Sequence, residues 1–261
     1  VIMLKLGREA KTRDYVKEEL ETKISDLIEK LNGLTIEVES KTSKKIVVIV
    51  DDLDKLTRNE DAENFFNKNY GLLIQPNCFV IYTFPIPLTF HPYYENVRHA
   101  FDDDIILPQL PVKSRDGKRI NEENFRFYKE IVERRMDLNL IEEEALKDAI
   151  VSTGKTSEFI SVMRDAAIKA YRNENERITK KEVEKALEKL RRTYDRTLTE
   201  AHKRRLLEIH ETKEARDENI EDSTIRNLLF SLTVVEYEDE EGRWCDTNPL
   251  LMPLVEKWKK A

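Results

Sequence analysis

Long apolar runs are missing from this chain. The longest, Cys78 to Phe90, is broken by Pro85 and Pro87 and is too short to span a bilayer, so no membrane partner is expected. Cysteine is scarce: Cys78 and Cys245 lie far apart and form no metal or redox spacing, which suits a reducing, cytoplasmic setting. No signal-peptide pattern is visible. Only six glycines and eight prolines occur in 261 residues, which excludes collagenous and low-complexity chains. Excess positive charge is also lacking. A net charge of −7 speaks against a chain that coats phosphate along its whole surface. The four histidines, His91, His99, His202 and His210, show no acid partners at triad or metal spacing, so no nucleophilic site is predicted.

What is present is charge and helical periodicity. Hydrophobic residues make up 39% and charged residues 37%, the balance of a helix-rich protein with a charged surface. The length suits two or three domains. Val1 falls within what reads as folded sequence, so a fragment of a longer chain is expected.

Residues 12–33 place Tyr15, Leu20, Ile24, Leu27, Ile28 and Leu31 at helical spacing, and Gly33 is expected to close that helix. After a short segment, 34–40, comes Ile46-Val47-Val48-Ile49-Val50, five β-branched residues in a row. Such a run predicts a central parallel strand buried on both faces. It ends in Asp51-Asp52-Leu53-Asp54. Acids at the carboxyl end of such a strand sit where open α/β sheets bind ligands. One carboxylate can hold Mg²⁺ and its neighbour can orient a water; the alternative is a solvated acidic turn. A helix over 60–70, ended by Gly71, leads to a second strand, Cys78–Tyr82, ending at Thr83. Asp104–Leu107 is a third strand candidate. This alternation predicts a parallel sheet with helices on its faces over 1–117.

Beyond Gly117 the pattern turns wholly helical: Glu122–Met136, Ile141–Val151, Ser157–Arg172 and Lys180–Arg192, the last opened by a Thr179/Glu182 capping box. These form a helical bundle over 118–196. From 197 to 261, helices Glu200–Ala215 and Ser223–Leu232 precede Thr233–Tyr237, an acidic turn, and Arg243–Asp246. Leu250–Trp258 closes the chain. Two helices and a hairpin predict a winged-helix module.

The order of these pieces resembles the AAA-type P-loop ATPases, most closely their STAND branch of signalling ATPases. The fold class implied is α/β plus α: a parallel-sheet ATPase subdomain, a helical lid and a winged helix. By that resemblance Ile46–Asp52 is the Walker B strand, Asp51 serves Mg²⁺, and Asp52 stands where many members carry a catalytic Glu. Thr83 takes the sensor-1 position. Arg98 lies in the region that presents an arginine finger, with a solvated helix face as its alternative. Ser152–Ala166 is similar to the lid turn and helix bearing sensor 2, which puts Gly154 and Ser157 on the nucleotide side; Ser157 replaces the usual sensing Arg.

Ala149-x₄-Gly154-Lys155-Thr156 also matches the loose phosphate-loop pattern. A working loop follows a strand and precedes Walker B, whereas this one follows the helical Glu142–Val151, so the lid alignment accounts for it better. The first 45 residues hold no Gly-Lys-Ser/Thr. Either the loop lies in an intact parent outside these residues, or the protein is a degenerate, non-hydrolysing scaffold.

The resemblance implies an ATP- and Mg²⁺-dependent switch that self-associates through its ATPase domains and answers to unidentified sensor and effector partners, in signalling or antiviral defence. The alternative is a DNA-binding initiator or regulator. Residues 198–261 hold 10 Lys/Arg against 15 Asp/Glu, and the wing tip is Glu238-Asp239-Glu240-Glu241. Tight DNA binding is therefore not expected. Lys203-Arg204-Arg205 is the one basic cluster there, and Arg226 the one cation on the candidate recognition helix.

Overall fold

A computed structural model describes residues 10–56, 59–216 and 223–260, with backbone alone over 10–22 and at 59. It is mostly helical with two small sheets. The chain forms two compact units, 1–85 with 93–104, and 86–92 with 105–261. Among the described residues no helix is long and apolar enough to cross a membrane.

In the first unit, α1 (Ala10–Thr42) runs straight through Gly33 and absorbs the segment expected to follow it. A mid-helix Gly costs only about 1 kcal/mol, too little to end a helix that other residues favour. Tyr15 and Leu20 lie outside the residues whose side chains are described. Asn32 docks α1 on the 75–77 turn, donating to the Gln75 carbonyl and accepting from the Asn77 N–H. The expected single helix over 60–70 is instead α2 (Asn59–Glu63), a wide π-turn over Asn64–Lys68, and α3 (Tyr70–Leu73).

Strands β1 (Val47–Val50) and β2 (Phe79–Tyr82) pair in parallel, Val47 opposite Phe79 and Val50 opposite Tyr82. The expected burial on both faces fails. Val47 and Ile49 are 54% and 66% exposed, Phe79 and Ile81 60% and 54%. Side chains alternate across a strand, so one face of the pair stands open. The other is lined by Val48, Val50, Val80 and Tyr82, with Tyr82 meeting Phe101 edge-on.

Asp104–Leu107 forms no strand, and among the described residues the sheet has two strands, so neither is central. Pro108 and Pro111 cannot donate to a ladder, which isolates this segment. Gln109, between them, donates instead to the Glu236 carbonyl in the second unit's hairpin, within that unit.

The second unit holds the bundle α5 (Glu122–Glu133), α6 (Glu143–Val151), α7 (Thr156–Arg172) and α8 (Lys180–Asp195). Asn121 caps α5, and the predicted Thr179/Glu182 box caps α8. Tyr128, Ile150, Phe159, Val162 and Val183 fill the core, Tyr128 and Phe159 packing edge to face. Then come α9 (Glu200–Thr212), α10 (Thr224–Phe230), the antiparallel strands β3 (Val234–Asp239) and β4 (Gly242–Thr247), and α11 (Met252–Trp258). Leu206, Ile209, Ile225, Leu228 and Leu251 form a second core beneath them.

Candidate functional site

Parallel pairing in register puts both strand ends on one line. Asp51 follows Val50 and Thr83 follows Tyr82, so the acids and the threonine share the carboxyl end of the pair. The Thr83 N–H donates to the Val50 carbonyl at 3.1 Å. Its hydroxyl oxygen accepts from the Leu53 N–H at 3.0 Å, which folds the acidic turn back over the second strand. Thr83 keeps its own O–H to donate.

Asp52 adopts a left-handed backbone, φ 69°, a conformation that Asp tolerates better than most residues. Its N–H donates to the Asp51 carboxylate at 2.7 Å. This turn swings Asp54 back toward the other two acids. Carboxylate oxygens of Asp51, Asp52 and Asp54 all lie within 4.8 Å of one another, and all three residues are exposed. Three hard oxygen donors at this spacing suit a small divalent cation that keeps several of its waters. Lys55 forms an ion pair with Asp52, whose carboxylate holds the ammonium's pKa above its ordinary value. Sequence reading passed over Lys55; its signal is its place three residues after Asp52.

Arg98 ends the short helix α4 (Tyr94–Arg98) and is half exposed. It lies 3.6 Å from both Glu95 and Asp104. The Tyr94 hydroxyl donates to the same Asp104 at 2.6 Å. The guanidinium thus has carboxylates of its own unit for partners.

Gly154 and Ser157 belong to the other compact unit, on the turn between α6 and α7. A helix, not a strand, delivers this turn. The Gly154 N–H donates to the buried Glu158 carboxylate at 3.1 Å. A Cβ at Gly154 would stand 2.7 Å from the Asn248 side chain, so only glycine fits beside it.

No acid stands at triad or metal spacing from a histidine in the sequence, but the fold brings an acid to two of them. His210 Nδ1 lies 2.8 Å from Asp246, which also accepts from Lys213 at 2.6 Å. His99 lies 3.8 Å from Glu95. Hairpin β3–β4 brings Asp246 back to α9 across 36 residues, a separation that no spacing rule samples. Beside it, burial pushes the Cys245 thiol up to about 12, so it is a poor nucleophile at neutral pH.

Arg226, expected to be the cation on a recognition helix, is 4% exposed. Helix α10 therefore offers no exposed cation. Arg205 is tied to Glu208 and to the Arg216 carbonyl, and Lys203 to Glu200.

No family model matches the chain, and no curated protein matches it. Among solved structures the chain is similar to the ORC2 protein of Aeropyrum pernix, determined as ADPNP–ADP complexes. Identity is 12% over 88% of this chain and 70% of that one, with a TM-score of 0.41. A likeness at that level assigns neither fold nor chemistry to this chain.

Proposed function

We propose that this chain is the core of a STAND-like AAA ATPase acting as a nucleotide-controlled switch, ATP hydrolysis residing in a form that carries a phosphate loop. The observation that carries the reading is the grouping of Asp51, Asp52 and Thr83 at one end of two parallel strands. Asp51 would hold the Mg²⁺ of Mg·ATP, which offsets phosphate charge when bound. Asp52 accepts a hydrogen bond from the attacking water and orients it, once Lys55 is drawn aside. Thr83 donates its free O–H toward the γ-phosphate or that water. For Gly154 and Ser157 the nucleotide-side role is the one that the resemblance to the AAA lid implies. Self-association through the ATPase units belongs to the same proposal.

Asp is shorter than Glu, so Asp52 reaches the water only when the water lies close; slow hydrolysis is expected, as suits a switch. The test compares two neighbouring acids in a form with a phosphate loop. Asp52→Asn should abolish turnover and spare ATP binding, whereas Asp51→Asn should weaken Mg·ATP binding itself. Hydrolysis at the parental rate in both variants would leave Asp51-Asp52 a solvated turn.

A further inference from the structure

Glu158 is the third residue of α7 and is 4% exposed, yet nothing in the proposed chemistry employs it. A carboxyl group so deep is tolerated only if its oxygens are well supplied with hydrogen-bond partners. They are. Oε1 accepts from the Tyr194 hydroxyl at 2.5 Å and Oε2 from the Gly154 N–H at 3.1 Å. The Asn248 amide lies 3.1 and 3.2 Å from the two oxygens.

Asn248 itself is fully buried and saturated. Its amide nitrogen also donates to the Leu232 carbonyl at 2.9 Å, and its Oδ1 accepts from the Leu250 N–H at 3.0 Å. Its backbone N–H donates to the Thr233 carbonyl. Leu232 and Thr233 join α10 to β3, so Asn248 is held by the C-terminal module and reaches into the bundle. Glu158 receives one donor from the α6–α7 turn, one from α8 and one from that module.

We infer that Glu158 and Asn248 form a conformational joint, through which the α6–α7 turn and the C-terminal module hold or change position together. Its polar chemistry makes the joint two-state. A carboxylate pulled away from Asn248 inside the core is short of a donor, so the contact is either made in full or exchanged for water. The absence of a Cβ at Gly154 lets the two parts close to contact, and any residue with a side chain there would wedge them apart. On the nucleotide reading the joint links the lid's ligand-side turn to the module that regulates it. The joint itself stands or falls without that reading.

The test uses the full chain with no nucleotide. Both tryptophans, Trp244 on β4 and Trp258 on α11, lie in the C-terminal module, so fluorescence in a urea titration reports that module alone. Pulsed hydrogen exchange in α6 and α7 peptides reports the bundle. The parent should show one coincident transition. Asn248→Ala and Glu158→Gln should each bring the tryptophan midpoint below the bundle midpoint by roughly 0.5 M urea or more. The double variant should separate them no further than the stronger single one. Tyr194→Phe removes a donor that lies within the bundle, and should lower both midpoints together. If Glu158→Gln does not fold, Gly154→Ala forces the same separation from the turn side. Parallel shifts of both probes in every variant, or a parent that already unfolds in two steps, would overturn the joint.

Discussion

Leu250 and Leu251 are neighbours in sequence, both fully buried, and they enter different cores. Leu250 packs into the bundle beneath α5–α8, whereas Leu251 packs beneath α9–α11. Arg191 of α8 donates to the Leu250 carbonyl at 2.7 Å, which fixes the crossing point. Truncating either leucine should cost about 2–5 kcal/mol, the range for buried Leu→Ala. Leu250→Ala should chiefly loosen hydrogen-exchange protection in the bundle, Leu251→Ala in α9–α11. Equal effects of both variants on both regions would contradict this division.

Two buried glutamates should respond to pH with opposite sign. Glu182 accepts from Thr179, Asn173 and Asn175, and the bonds from Thr179 foremost, with that from Asn173, hold its pKa below the ordinary value. Its stabilising share is present above the unfolded pKa and is lost as pH falls through the lower folded value. Glu236 is the reverse: burial raises its pKa, and its Oε2 has no hydrogen-bond partner among the described residues. Its share is full below the unfolded pKa and is lost as pH rises through the folded one. Glu236→Gln should therefore stabilise the chain at pH 7, by about 1 kcal/mol, and not at pH 4. Glu182→Gln should destabilise it at pH 7. Urea midpoints at the two pH values check both signs.

Nucleic-acid binding should be weak. The hairpin tip, Glu238 to Glu241, is exposed and acidic, and the one cation of α10 is buried. Helix α8 does carry Lys185, Lys189 and Arg192 along one face, with Arg196 just beyond its end, partly offset by Asp165 and Glu188. Duplex DNA should bind no tighter than roughly micromolar at physiological salt. What binding there is should fall in Lys185→Glu/Arg196→Glu and not depend on sequence. Nanomolar, salt-sensitive anisotropy curves would favour an initiator-type protein instead.

The ion pair with Lys55 should compete with metal at the acidic turn. Lys55→Ala leaves Asp52 without its ammonium partner and should tighten Mn²⁺ binding severalfold, since one competing charge is removed. Asp51→Asn should weaken it. Titration by water-proton relaxation reads both, and no change in either variant would dissociate this turn from cation binding.

Local pattern decided the elements whose reasons are local. The β-branched run 46–50 made β1 over its last four residues, and Phe79–Tyr82 made β2 parallel to it. Threonine and glutamate three residues apart made the cap of α8, and helical periodicity made the bundle. The acids and Thr83 at one strand end followed once those strands were paired in register. Other features depended on which surface arrived opposite, and no local pattern encodes that. Gly33 could stop a helix or sit inside one. Val47 and Ile49 are as apolar as any core residue, yet they stand largely exposed. Arg226 reads as a surface cation until α10 packs down on it. His210 meets Asp246, and Glu158 meets Asn248, across 36 and 90 residues. Such contacts form because a buried charge must find donors wherever the fold supplies them, so tertiary structure alone chose the partners.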